Sequence, residues 1–109
     1  MFLSSQSGAA GLRIAVIIPC YRVKEQILGV LAEVPPWVDH ILIVDDKCPE
    51  QSGAHVAAHA TDKRIEIIEH AENLGVGGAM ATGYRRALEL NADVAVKIDG
   101  DGQMDPALL

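Results

Sequence analysis

Asp99 and Asp101, one residue apart and each followed by glycine, are the side chains whose type and spacing most directly allow chemistry. They close the run Val94-Ala-Val-Lys-Ile-Asp-Gly-Asp-Gly-Gln-Met104. In it Val94, Val96 and Ile98 alternate with Ala95, Lys97 and Asp99, as on the two faces of a strand. Two carboxylates projecting from one strand tip repel unless something positive lies between them. A hard divalent cation is the usual remedy, with water and phosphate oxygens completing its shell. Gly100 and Gly102 let the chain turn sharply and leave room for a ligand. The same letters also read as a polar turn after a buried strand, because acid-and-glycine turns are common.

Other segments bear on the same chemistry. Asp45-Asp46 ends a second apolar run, His40-Ile-Leu-Ile-Val-Asp45, and Pro19-Cys20-Tyr21 ends a first, Ile14-Ala-Val-Ile-Ile-Pro19. Asn73-Leu-Gly-Val-Gly-Gly-Ala79 precedes a helix, where a glycine cluster bares backbone N–H groups to an anion. Close packing of helix on sheet at Gly78 and Gly83 explains those glycines equally well. They are not the dinucleotide fingerprint, which would need glycine at Met80, and no Gly-Lys-Ser/Thr of a P-loop is present. His55 and His59 share a helical face but lack a third ligand, and read as surface residues.

The elements that must position these groups alternate. Strands are expected over Ile14–Pro19, His40–Asp45, Ile65–Glu69 and from Val94. A helix carrying Val23, Ile27, Leu28, Leu31 and Val34 is stopped by Pro35-Pro36, and a weaker one carries Val56, Ala57 and Ala60. A third, the strongest, has Met80, Tyr84, Ala87 and Leu88 as its apolar stripe and Asn91 as its stop. Trp37 is expected to cover the core, and Arg85 and Arg86 to be surface charge. Repeated strand–helix pairs imply an α/β, Rossmann-like parallel sheet with helices on both faces. Ligands of such sheets gather outside the carboxyl ends of the strands. Asp45, Asp46, Asp99 and Asp101 are therefore expected to meet in one crevice. Lys97, on a strand expected to be central, is costly there unless paired, with Asp45 or Asp99 as partner; alternatively its stem follows the sheet and its ammonium reaches water.

With 109 residues, half of them apolar, the chain is at most one globular domain. A formal charge of −6 supplies no basic surface for nucleic acid. No apolar run is long enough to span a membrane. Residues 1–12 read as a flexible lead-in without the features of a secretory signal, and residues 13–109 as the domain. Cys20 and Cys48 lack CxxC spacing and fit reduced thiols in a cytoplasmic protein.

The order Ile18-Pro-Cys-Tyr21, Val44-Asp-Asp46, Asn73-Leu-Gly-Val-Gly-Gly-Ala79 and Asp99-Gly-Asp-Gly-Gln103, then Asp105-Pro106, resembles the family-2 glycosyltransferases. Within them it is most similar to the polyprenyl-phosphate sugar transferases. The resemblance implies the N-terminal, nucleotide-binding half of a GT-A fold that takes a UDP- or GDP-linked sugar. It implies that Pro19 and Tyr21 border the nucleotide, that Asp45 meets base or ribose with Asp46 assisting, and that Asn73, Gly78 and Gly100 line the site. Asp99 would face the ribose or sugar phosphate. Asp101, with Asp99 in this DxD motif, would hold Mg²⁺ or Mn²⁺ on the diphosphate. The acceptor class implied is a polyprenyl phosphate or a cell-envelope glycan, reached at the inner face of the membrane. The family's catalytic base is expected beyond Leu109, so these residues alone are expected to bind donor without transferring sugar. The chain departs from the family after Asp46, where Lys47-Cys48-Pro49-Glu50 replaces the usual Gly-Ser and nearby acid. Lys47 there meets a phosphate or points to solvent. A non-catalytic nucleotide- or anion-binding module is the alternative. A phosphoacceptor signalling domain would need its acid pair after the first strand, and a nucleotidyltransferase a glycine- and lysine-rich loop there.

Overall fold

The computed structural model describes residues 11–101. The lead-in up to residue 10, and Gly102, Gln103, Asp105 and Pro106 of the acidic motif, lie outside the described residues. The elements alternate as β1 (Ile14–Cys20), α1 (Ile27–Ala32), β2 (His40–Asp45), α2 (Ser52–His59), β3 (Ile65–Glu69), α3 (Gly75–Glu89) and β4 (Val94–Lys97). All neighbouring strands pair in parallel, in the order β3-β2-β1-β4. This is the expected α/β sheet.

Strand parity explains the two cores. Ile14, Val16, Ile18 and Cys20 of β1 and Ile41 and Ile43 of β2 face α1 and α2, meeting Ile27, Val30, Leu31 and Val56. Ala15, Ile17, Leu42 and Val44 point the other way, onto Ala79 and Ala87 of α3. Because both faces of β1 and β2 are covered, both strands are apolar almost throughout. Trp37 packs against the first core, as expected.

Four expectations change. The stripe from Val23 to Val34 is buried at Val23, Ile27, Val30, Leu31 and Val34, but regular helix spans only Ile27–Ala32. Val23 instead opens a turn whose carbonyl accepts the Gln26 and Ile27 N–H groups.

On α3 the buried face is Ala79, Gly83 and Ala87, whereas Tyr84 and Leu88 are 46% and 74% exposed. The helix lies so close to β1 that a Cβ on Gly83 would stand 2.4 Å from Ile17 Cγ2. Small residues four apart therefore form the contact, with Met80 packing partly buried beside it, while Tyr84 and Leu88 stay largely in solvent. Asn91, at φ 60°, ends the helix in the left-handed conformation that asparagine tolerates, and Ala92 N–H returns to the Ala87 carbonyl.

Finally, β4 is an edge of the described sheet, not a central strand. Lys97 remains 42% exposed and its Nζ lies 3.3 Å from Asp99 Oδ1. It has a carboxylate partner without the cost of full desolvation. Arg86 is more than surface charge: it ties α3 to β3 through both oxygens of Glu66, at 2.7 and 3.1 Å.

Candidate functional site

The carboxyl ends of β1, β2 and β4 lie along one edge of the sheet, as the parallel pairing requires. There Pro19, Tyr21, Asp46, Asp99, Gly100 and Asp101 line one cavity of about 190 Å³, with Val76 and Ala79 of α3 among its walls. The acidic pair and the end of β1 are thus brought together. A side chain on Gly100 would press on Val23 and Ile18 at 3.2–3.3 Å, so the glycine keeps this turn tucked against the core.

Asp45 lies elsewhere. It borders a neighbouring open cleft of about 800 Å³ with Arg22, Lys47, Cys48 and Asn73; Tyr21 is shared by both spaces. Its buried carboxylate accepts the N–H of Cys48 at 2.7 Å and of Gly53 at 2.8 Å. It therefore braces the loop after β2 and the first turn of α2. A Cβ on Gly53 would stand 2.8 Å from Asp45 Oδ2, so only glycine permits this approach.

Asp46 has the corresponding role toward α3. Its Oδ1 accepts the Leu74 N–H and its Oδ2 the Gly75 N–H, both at 2.8 Å. Asn73 completes the turn, donating to the Asp46 carbonyl and accepting from Gly75 N–H. Burial raises the Asp46 pKa, but the hydrogen bonds from Leu74, His70 and Gly75 outweigh it and hold the acid below its usual range. Gly78 is in neither cavity; a Cβ there would meet Leu74 Cβ at 2.5 Å, so it seats its own helix's first turn and not the sheet.

The loop that departs from the family pattern is built tightly. Lys47 is exposed at the rim of the Asp45 cleft, and its Nζ donates to the Ala71 carbonyl at 3.2 Å. Cys48 Sγ accepts the Arg22 N–H at 2.9 Å and lies 3.2 Å from Ser52 Oγ. Burial raises the Cys48 pKa, yet hydrogen bonds from the Ser52 hydroxyl and from backbone N–H groups bring it below the ordinary thiol value. Cys20 is the opposite case: burial, then the charges of Asp45 and Cys48, push it up to about 12. Arg22, Lys47 and Gln51 have left-handed backbones (φ 59°, 56° and 55°), and all three line the Asp45 cleft. Non-glycine residues in that region are held at a cost of order 1 kcal/mol each, and such strain concentrates at binding sites.

Sequence reasoning missed His70 and Thr82. His70 Nδ1 is 2.8 Å from Asp46 Oδ1 and its Nε2 is 2.8 Å from Thr82 Oγ1. The available signal was a histidine directly after the third strand, at the same carboxyl-end edge as the acids.

No group of three or more His, Cys, Asp or Glu side chains able to hold a metal occurs among the described residues. Asp99 and Asp101 provide two hard oxygen donors in one cavity. That set suits a cation completing its shell with phosphate and water, not one caged by protein alone. No described helix is long and apolar enough to cross a membrane.

A doubly covered parallel sheet with acids at the mouth of its carboxyl edge is the architecture of nucleotide- and phosphate-binding α/β domains. More specifically, the chain belongs to glycosyl transferase family 2, which it matches over residues 15–109. It is 34% identical over 102 residues to the undecaprenyl-phosphate mannosyltransferase of Micrococcus luteus, covering 90% of this chain and 42% of that protein. It is 33% identical over 107 residues to the UDP-N-acetylglucosamine–dolichyl-phosphate N-acetylglucosaminyltransferase of Methanococcus voltae, covering 85% and 43%. The chain thus spans less than half the length of these curated relatives. Among solved structures it is similar to S. aureus TarS 1–349 in complex with UDP, with a TM-score of 0.63, 18% identity, and coverage of 83% of this chain and 28% of that one. The fold is that of GT-A glycosyltransferases.

Proposed function

We propose that these residues form the donor-binding part of an inverting glycosyltransferase that moves a sugar from a UDP- or GDP-linked donor to an acceptor. The observation that carries this reading is the single cavity shared by Pro19, Tyr21, Asp46, Asp99, Gly100 and Asp101 at the carboxyl edge of the sheet. In it the diphosphate and sugar lie toward Asp99 and Asp101, which hold Mg²⁺ or Mn²⁺. The nucleoside lies toward Tyr21 and the Asp45 cleft, where Asn73 and the first turn of α3, including Gly78, support the wall. Asp45 and Asp46 contribute chiefly by fixing that wall, since their oxygens already accept backbone N–H groups.

Sugar transfer leaves a nucleoside diphosphate with more negative charge than it had as an ester. A bound divalent cation supplies positive charge for that leaving group. The chain's own contribution is to orient the donor and to offer hard oxygen ligands. The names of the curated relatives support a polyprenyl phosphate as acceptor; action at the cytoplasmic face of a membrane, in cell-envelope synthesis, is part of the same proposal. Inversion requires a carboxylate base to deprotonate the acceptor. Binding of donor without turnover is the behaviour expected of these 109 residues. Sugar transfer by this chain alone would refute that.

Calorimetric titration with UDP, GDP and their sugars, with and without Mn²⁺, tests the donor site. Binding is expected to need the metal. Asp101→Ala should weaken it by about a hundredfold or more, beyond what losing an outer-sphere partner of a metal costs. Binding indifferent to metal and to Asp101 would point instead to a non-catalytic nucleotide-binding module.

A further inference from the structure

We propose that His70 is a positioning residue for the donor cavity, acting through Asp46 on the first turn of α3; this rests on the donor-site reading above. The His70 ring is 9% exposed, and its backbone N–H donates to the Asp45 carbonyl at 2.8 Å, so it is fixed at the end of β3. Asp46, held in its ionised form, has no proton to give. The hydrogen between them therefore belongs to Nδ1, and Nε2 shares a hydrogen bond with the Thr82 hydroxyl. The ring is a rigid spacer with one end on Asp46 and the other on α3.

The linkage has a geometric consequence. Asp46 gathers the Leu74 and Gly75 N–H groups, at the opening of α3. Thr82 lies seven residues beyond Gly75, about two turns further along the same helix. A helix held at two points by one connected set of hydrogen bonds can neither slide along its axis nor roll about it without breaking one of them. Between the two points lie Val76 and Ala79, which wall the cavity containing Asp99 and Asp101. The position of that wall is thus set from β2 and β3, through His70.

Two conservative substitutions separate this role from mere packing. The side-chain nitrogen of asparagine reaches the place of Nδ1, and that of glutamine the place of Nε2. His70→Asn keeps the donor to Asp46, and His70→Gln keeps only the contact with Thr82. Amide hydrogen exchange at Leu74 and Gly75 reads the latch without any ligand, and titration with UDP and Mn²⁺ reads the cavity. His70→Asn is expected to stay within about twofold of the parent in both, and His70→Gln to exchange about tenfold faster and bind UDP about tenfold more weakly, as for one lost charge-assisted hydrogen bond. Should His70→Gln fail to fold, Thr82→Val withdraws only the hydroxyl and is expected to speed the same two amides about threefold. Equal behaviour of the His70 variants, no change in Thr82→Val, or faster exchange with unaltered UDP affinity would each overturn the proposal. If the parent binds neither UDP nor GDP with Mn²⁺, the donor reading falls by itself, and the exchange data still decide whether His70 governs the turn.

Discussion

Gly83→Val is expected to destabilise the domain by at least about 3 kcal/mol, the upper end of the usual cost of overpacking a core. A single Cβ at this position would stand 2.4 Å from Ile17 Cγ2 and 3.1 Å from two further Ile17 carbons. Ile17 is fully buried in β1, between the neighbours β2 and β4, and has nowhere to move. The helix must therefore lift from the sheet, and the Ala79 and Ala87 contacts with Ala15, Leu42 and Val44 go with it. For a domain of this size the loss corresponds to a fall in Tm of roughly 12–20 °C. Gly77→Ala is the contrasting variant on the same helix. Nothing lies within 4 Å of its Cβ, so the better helix propensity of alanine should stabilise by up to about 1 kcal/mol. Thermal melts followed by circular dichroism compare the two; similar melting temperatures would show that α3 does not sit on Ile17 as described.

Asp46→Ala is expected to cost about 2–4 kcal/mol, because the Leu74 N–H and His70 Nδ1 lose this acceptor at once and the Gly75 N–H keeps only Asn73 Oδ1. Its effect should also depend on acidity. The folded-state pKa of Asp46 lies below the ordinary value of 3.8: burial raises it, and the hydrogen bonds from Leu74, His70 and Gly75 more than reverse that. A carboxylate with a depressed folded pKa stabilises the fold above its unfolded value and loses that contribution as the pH falls through the folded one. The gap between the parent and Asp46→Ala should therefore be full at neutral pH and narrow below pH 3.8. Asp62, also held below 3.8, chiefly by its hydrogen bonds with Arg64, adds an acid-labile term to both proteins and cancels in the comparison. Urea unfolding between neutral and acidic pH measures the difference. A gap that stays constant would remove the anionic carboxylate from the account.

Much of the domain was legible from local pattern. The apolar runs at residues 14–19 and 40–45 became the two inner strands, and their acidic or proline-containing ends became the site edge. The burial of Val23, Ile27, Leu31 and Val34 was also visible, although the length of the helix was not. A hydrophobic stripe records which side chains face inward; it does not record whether the backbone between them is a turn or a helix. On α3 the stripe held for Ala87 and the partly buried Met80 but not for Tyr84 and Leu88, because the contact selects for smallness at Ala79, Gly83 and Ala87.

What the sequence alone determined is the alternation of strands and helices, the parallel sheet, and the collection of Pro19, Tyr21, Asp46, Asp99 and Asp101 at one edge. These follow from residue periodicity and from the rule that parallel strands end on the same side. Tertiary structure alone decided how each carboxylate is used. Asp45 and Asp46 are adjacent in the chain, yet one braces α2 and the other α3, and only the second joins Asp99 and Asp101 in their cavity. Successive residues of an extended chain point to opposite sides, and the N–H groups that then meet them come from segments up to 29 residues away. No spacing within the motif encodes such distant donors, which is why His70 came into view only in three dimensions.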